Sequence, residues 1–229
     1  MNINYPGDAP NIKRGFQVDP KRLFYSDEEK ALCKMVTLVP GYGILEAGTI
    51  VGVITESTSR KDQFVPYAIA APTAALPFIA GAYLLADGGA TDTLIPVTME
   101  DSYKFAVGDH LGGVDSDATP IDIGAITAID RTTYSHYATL TVTEIDLSGL
   151  TVAKGAMVFI QTQTSTPWTN AIGILKEGVD TGVGEDAVGA QGSVVISNAM
   201  IYKGLLPNYD AGALTDLSGV VSGQLIVLK

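Results

Sequence analysis

Few side chains in this 229-residue chain are of the kinds that carry covalent or metal chemistry: two histidines, His110 and His136, one cysteine, Cys33, and one tryptophan, Trp168. A hydrolase needs a nucleophile beside a base, and the chain has neither a Gly-x-Ser-x-Gly elbow nor a His-Glu-x-x-His pair. His110, in Gly108-Asp-His-Leu-Gly112, and His136, in a loop phrase, both read as solvated turn histidines. Cys33 has no histidine near it in sequence and reads as a packed free thiol. A lone cysteine also excludes an intrachain disulfide and a cysteine-based zinc cage.

Two phrases imitate ligand loops. Asp115-Ser-Asp-Ala-Thr-Pro-Ile-Asp122 alternates oxygens as the start of a calcium loop does, but its sixth position is not glycine and its twelfth is Ile126 instead of glutamate. An acidic turn is the better reading. Gly182-Val-Gly184-Glu-Asp-Ala-Val-Gly189 has the glycines of a dinucleotide loop, yet the strand-like Ser193-Val-Val-Ile-Ser197 follows where a helix is required, and Glu185 and Asp186 would repel phosphate. Trp168, Tyr134 and Tyr137 could line a sugar site by ring stacking, although packing is the stronger expectation for a single tryptophan. Acidic pairs are plentiful, but the carboxylate separation that would define a glycosidase is not legible in a sequence. These residues argue against an enzyme and give no reason to expect a cofactor or a metal.

The charge balance narrows the partners. Fourteen basic against 25 acidic side chains give a formal charge of −11, and a phosphate-neutralising surface needs clustered Lys and Arg, so direct nucleic-acid binding is not expected. Hydrophobic residues at 46% exclude a wholly disordered chain. Charged residues make up 17%, below the roughly 25% of ordinary soluble domains, as suits a surface partly covered by other chains. The charge is also uneven. Residues 1–35 hold six basic side chains (Lys13, Arg14, Lys21, Arg22, Lys30, Lys34) and five acidic ones, while the rest of the chain holds eight against 20.

The order of elements that must hold these residues begins with an arm. Met1–Gly15 is polar and contains Pro6, Asp8 and Pro10, which is unlike a signal peptide. Ser26-Asp-Glu-Glu29 followed by Lys30, Ala31, Leu32 and Met35 has the cap, acidic first turn and basic end of a short helix. Strands are expected at Gly48–Thr55, Phe105–Leu111, Ile121–Asp130, Tyr137–Asp146, Ala156–Thr162, Ala171–Leu175, Gly192–Ile196 and Leu225–Leu228, with Arg131–His136 as a hairpin loop. Helical periodicity is nearly absent beyond the arm, so the expected class is all-β, with barrel or sandwich modules. Ala68–Ala86 is uncharged and long enough for a membrane crossing, but Pro72, Pro77 and its alanine content argue for an Ala/Pro loop entering a buried strand over Phe78–Leu85, with no membrane partner.

Four separated phrases carry a resemblance: Leu45-Glu-Ala-Gly-Thr-Ile-Val-Gly52, Gln63-Phe-Val-Pro-Tyr67, Ala171-Ile-Gly-Ile-Leu-Lys-Glu-Gly-Val-Asp-Thr181 and Gly189-Ala-Gln-Gly-Ser-Val-Val-Ile-Ser197. In this order they resemble the lambda-type bacteriophage head decoration proteins. The motif positions are Gly48, Gly52, Pro66, Tyr67, Gly173, Ile174, Leu175, Glu177 and Asp180. The resemblance implies a compact β-barrel or β-tulip-like domain, discontinuous over residues 36–71 and 167–229. It also implies an inserted β module over 72–166, which compact members of the family lack, and a mostly extended capsid-docking arm over 1–35 carrying the short helix.

The function so implied is that of a structural virion protein, made in the host cytoplasm and placed on the capsid exterior. It would bind the major capsid protein as a homotrimer at three-fold or quasi-three-fold sites and stabilise the expanded shell without catalysis. The arm residues Lys13, Arg14, Phe16, Lys21, Arg22, Leu23, Phe24 and Tyr25 would make the capsid contact, basic groups pairing with an acidic shell and apolar ones anchoring. The other class of function that the residues admit is a tail, fibre or carbohydrate-recognition module acting through Arg131–His136 and Asp115–Asp122.

Overall fold

A computed structural model describes residues 23–24, 31–69, 79–117, 120–161, 170–218 and 226–228. Short runs of β-branched and apolar residues, cut by glycine and proline, form sixteen strands among the described residues. The first group is β1 (Leu32–Leu38), β2 (Ile44–Leu45), β3 (Ile50–Val53) and β4 (Phe64–Pro66). The middle of the chain gives β5 (Gly81–Tyr83), β6 (Asp92–Thr98), β7 (His110–Val114), β8 (Ile121–Ala125), β9 (Ala128–Asp130), β10 (Tyr137–Ile145) and β11 (Met157–Ile160). The last part gives β12 (Ala171–Leu175), β13 (Val179–Asp180), β14 (Ala190–Ser197), β15 (Ala199–Ile201), a helix α1 (Ala211–Leu217) and β16 (Ile226–Leu228). The protein is an all-β fold, as its sequence predicts.

Strand pairing separates the middle from the two ends. β1, β14, β12, β3 and β4 close a five-stranded barrel in that order, whereas β6-β10-β9 and β5-β11-β7-β8 are sheets made wholly from the middle. Barrel closure is thin: β1 meets β4 only at Leu38 opposite Phe64. The apolar core ignores this division. One buried cluster unites Leu38, Val51, Ile54 and Val65 of the barrel region with Ile95, Leu111, Leu140 and Val158 of the middle sheets. A second unites Ile50, Ile174 and Val195 with Met157 and Phe159, and with Leu23, Ile201 and Leu217. Burial of this shared surface, at about 25 cal/mol per Å² of apolar area, holds the two sets of sheets together without a common ladder.

Several expectations are corrected. The second half of the expected arm helix, Leu32 to Met35, is strand, because β1 runs antiparallel along β14 from Leu32 opposite Ser197 to Leu38 opposite Ala190. A ladder of that length outweighs the local capping signal; residues 25–30 lie outside the described ones. Phe105–Leu111 is not one strand. A 3₁₀ turn at Asp101–Lys104 ends on Phe105, and Gly108, at φ +91, turns the chain into β7. Ile121–Asp130 breaks in two at Ile126 and Thr127, whose amides donate to Asp109 and Thr141 carbonyls and send β8 and β9 into different sheets.

β6 escaped sequence reasoning because Pro96 interrupts it; the proline carbonyl instead accepts the Leu85 amide at 3.0 Å. The helix α1 escaped because seven residues show no periodicity. It is set by the Asp210 side chain, which accepts the Ala213 amide at 2.8 Å. Of the expected Phe78–Leu85 strand, Gly81–Tyr83 forms, with Gly81 required because a β-carbon there would meet the Val158 carbonyl oxygen at 1.9 Å. Most of the Ala/Pro stretch lies outside the described residues. Among the described residues no helix is long and apolar enough to cross a membrane.

Candidate functional site

The residues of the family-like phrases converge on the barrel. β3, β4, β12 and β14, which hold the cores of the four phrases, are neighbours in it. Gly173 lies where a β-carbon would meet Val194 Cγ1 and the Val195 carbonyl oxygen, both at 2.5 Å. Gly48 sits at φ +94 with the Leu205 carbonyl oxygen 2.8 Å from a β-carbon position, so glycine is required twice over. Gly52 pairs with Val65 and Ala171, and Pro66 with Val51. Ile174 and Leu175 are fully buried, while Glu177 and Asp180 are exposed where the chain leaves β12, Asp180 pairing with Ile44 and accepting the Gly182 amide. Tyr67 is buried, donates to Asp210 Oδ1 at 2.8 Å, and has its phenol raised by burial and by Asp210. Asn208 ties these strands: its Oδ1 accepts the Ile50 amide at 2.7 Å and its Nδ2 donates to the Ile50 and Tyr67 carbonyls.

The expected capsid-contact residues divide. Lys13, Arg14, Phe16, Lys21, Arg22 and Tyr25 lie outside the described residues. Leu23 and Phe24 are buried, Phe24 bridging to Ile201 and the Leu23 carbonyl accepting the Tyr202 amide, so they fasten the arm to the body and are not outward anchors. Their apolar character was legible; which apolar surface they would cover was not. Cys33 is also corrected, since it is exposed on β1.

The β3–β4 connection reaches into the middle sheets. Arg60 is ion-paired with Asp109, its Nε donating to Oδ1 at 3.3 Å and a terminal nitrogen donating to the Lys104 carbonyl at 3.2 Å. Asp109 Oδ2 also accepts the Ala106 amide at 2.7 Å. Burial pulls the Arg60 guanidinium below its ordinary pKa. Beside this pair, His110 is not a solvated turn residue: Nδ1 faces Glu56 at 3.2 Å and Nε2 faces Asp122 at 2.6 Å. Sequence could not pair these groups, because Glu56 and Arg60 come from a different part of the chain.

The acidic turn distributes its carboxylates among separate partners. Asp115 accepts the Asp117 amide, Asp117 pairs with Lys154, and Asp122 pairs with His110. Among the described residues no group of three or more His, Cys, Asp or Glu side chains is placed to hold a metal ion.

A cleft of about 240 Å³ opens on the middle sheets, lined by Tyr134, Tyr137, Thr139, Leu94, Asp87 and Asp92 among others. The two tyrosine rings stack with centroids 4.3 Å apart and planes 17° apart. Tyr134 comes from the β9–β10 loop, which is pinned at its start. Asp130 Oδ1 accepts the Thr132 and Thr133 amides, and bonds from Thr133 and Thr132 hold the Asp130 carboxyl well below the usual range. Next to it, Arg131 donates from Nε to Ser102 Oγ and from a terminal nitrogen to the Ser102 carbonyl, both at 2.8 Å, and lies 4.4 Å over the Tyr103 ring. The facing wall is fixed as well: Asp87 accepts the Val152 amide at 2.6 Å and Asp92 the Gly89 amide at 2.5 Å. The tyrosines are recognisable as stacking residues in the sequence, whereas nothing in the sequence singles out Asp87 and Asp92. Trp168 lies outside the described residues, and His136 is exposed in its loop.

No protein-family model, curated protein or solved structure matches the chain.

Proposed function

We propose that this chain is a non-enzymatic structural virion protein that binds the outer surface of a phage capsid. In this reading it contacts the major capsid protein as a homotrimer at three-fold or quasi-three-fold sites and stabilises the expanded shell. One observation carries it: the four phrases that resemble the head decoration proteins, scattered between Leu45 and Ser197, are adjacent strands of a single closed barrel. Phrases that recur by chance have no reason to become neighbours in space. The edge of β1 also suits assembly. Leu32, Cys33, Lys34 and Met35 are all exposed, and β4 reaches β1 only at Leu38, so the first half of the strand offers both apolar side chains and a ladder edge to another subunit.

In this reading the basic arm residues Lys13, Arg14, Lys21 and Arg22 meet an acidic shell while the acidic body faces outward, and three arms per trimer raise a weak single contact by avidity. Co-sedimentation of the purified protein with expanded and with compact precursor shells tests it. Saturable binding to expanded shells alone is the expected result, weakened by salt and by replacing the four basic arm residues with glutamate. A deletion that tests the arm must stop at residue 20, because Leu23 and Phe24 belong to the core. Failure to bind expanded shells overturns the reading, and full binding by the glutamate variant overturns the role of the arm.

A further inference from the structure

The cleft on the middle sheets has a chemistry that barrel assembly and shell contact do not use. We propose that it is a binding site for a neutral saccharide, one pyranose ring of which stacks on the Tyr134 and Tyr137 pair while its hydroxyls donate to Asp87 and Asp92.

Three observations select this ligand. Tyr134 is 41% exposed although its loop is tightly held by Asp130 and Arg131, so an aromatic surface is kept in water without the mobility that would let it fold away. Such a pre-ordered ring costs little to immobilise on binding. The rings lie face to face, with centroids 4.3 Å and planes 17° apart, so Tyr137 backs Tyr134 and the pair offers one flat outer ring face. A flat platform fits the C–H face of a sugar ring, whereas a quaternary ammonium group is held by rings that surround it at steep angles.

The polar groups are carboxylates. Each uses one oxygen on a backbone amide, Asp87 Oδ1 on Val152 and Asp92 Oδ2 on Gly89, and the other oxygen has no partner among the described residues. Ionised carboxylates accept hydrogen bonds only, which matches hydroxyl donors and repels sialic acids, sugar phosphates and nucleotides. Leu94, 51% exposed at the mouth, adds an apolar contact. At about 240 Å³ the cleft is smaller than the roughly 300–1,000 Å³ of drug-sized sites, so it admits about one ring of a longer glycan. A single site of that size binds on the order of 1 mM, and an array of copies would raise this about 100-fold or more.

The site stands on the isolated chain and is independent of the shell-binding reading, so the two fail separately. The test is saturation-transfer NMR on the purified full-length protein with the methyl glycosides of glucose, galactose, mannose and N-acetylglucosamine, and with sialic acid and tetramethylammonium as contrasts. Transfer to the ring protons of at least one neutral glycoside is expected, with binding at least about tenfold weaker in Tyr134→Ala, retained in Tyr134→Phe, and blocked by Leu94→Trp, all with unchanged circular dichroism. Both substituted side chains are exposed, so folding does not depend on them. Absence of binding to all four glycosides, undiminished binding by Tyr134→Ala, or stronger binding of tetramethylammonium or sialic acid would overturn the proposal.

Discussion

The ion pair between Arg60 and Asp109 gives the sharpest test of how the barrel holds the middle sheets. The Asp109 side chain is fully buried and that of Arg60 is 11% exposed, so neither charge has water to fall back on. Asp109→Ala strands the guanidinium and also removes the acceptor of the Ala106 amide. Arg60→Ala strands the carboxylate and frees the Lys104 carbonyl. Removing one partner of a buried pair costs about 3–5 kcal/mol, mostly because the remaining charge stays desolvated, whereas apolar replacement of both is close to neutral. A loss of about 4 kcal/mol at an m-value of about 3 kcal/mol/M lowers the urea midpoint by roughly 1.3 M. In the closed cycle of parent, Arg60→Met, Asp109→Leu and the double variant, whose singles strand the same groups, the double should recover most of that loss, giving a coupling of at least about 2 kcal/mol. Urea unfolding of the four proteins, repeated in 1 M NaCl where a buried pair is little screened, measures it. Single variants within about 0.3 M of the parent midpoint, or a double variant that merely adds the two losses, would refute the claim that this contact locks the two sets of sheets.

Three further outcomes follow from the barrel. Gly173→Ala forces a β-carbon to 2.5 Å from Val194 Cγ1 and the Val195 carbonyl oxygen; it should cost about 1–3 kcal/mol by overpacking, and a thermal midpoint equal to the parent's would contradict this. Asn208→Ala leaves the Ile50 amide and the Tyr67 carbonyl without this buried partner, while the Ile50 carbonyl keeps the Tyr67 amide, for a loss of about 2 kcal/mol in urea unfolding. Burial raises the Asp216 carboxyl above its ordinary pKa of 3.8, against the Ala171 amide that donates to it at 2.8 Å. The folded state therefore keeps this proton longer than the unfolded state, and the carboxylate opposes folding increasingly as pH rises from 3.8 through the raised value. Asp216→Asn should gain stability relative to the parent over that window and hold a constant advantage above it; a difference that is flat or falls with pH would show the sign to be wrong.

The all-β class and most of the longer strands were legible in the residues. Tyr137–Asp146 alternates through its middle, and β10 occupies Tyr137–Ile145 with Ala138, Leu140 and Val142 buried on one face and Thr139 also buried on the other. Ala171–Leu175 is β12 to the residue, because an apolar run around an obligatory glycine has few other uses. What misled was local sequence whose tertiary partner was invisible: Leu32–Met35 reads as the end of a capped helix until β14 lies beside it. Asp92–Thr98 reads as broken by Pro96 until Leu85 is seen to need that carbonyl.

The same distinction separates the sites. Side-chain chemistry is fixed by residue type, so the sequence was sufficient to identify a near-neutral arm, an acidic body, a lone thiol and tyrosines fit for stacking. Proximity is fixed by chain paths. Glu56 and Arg60 reach His110 and Asp109 across about fifty residues, Asp87 and Asp92 face Tyr134 and Tyr137 across a comparable span, and Leu23 and Phe24 turn inward because Ile201 and its neighbours leave an apolar surface for them to cover. No periodicity encodes such pairings, since each is a property of two segments that only folding brings together.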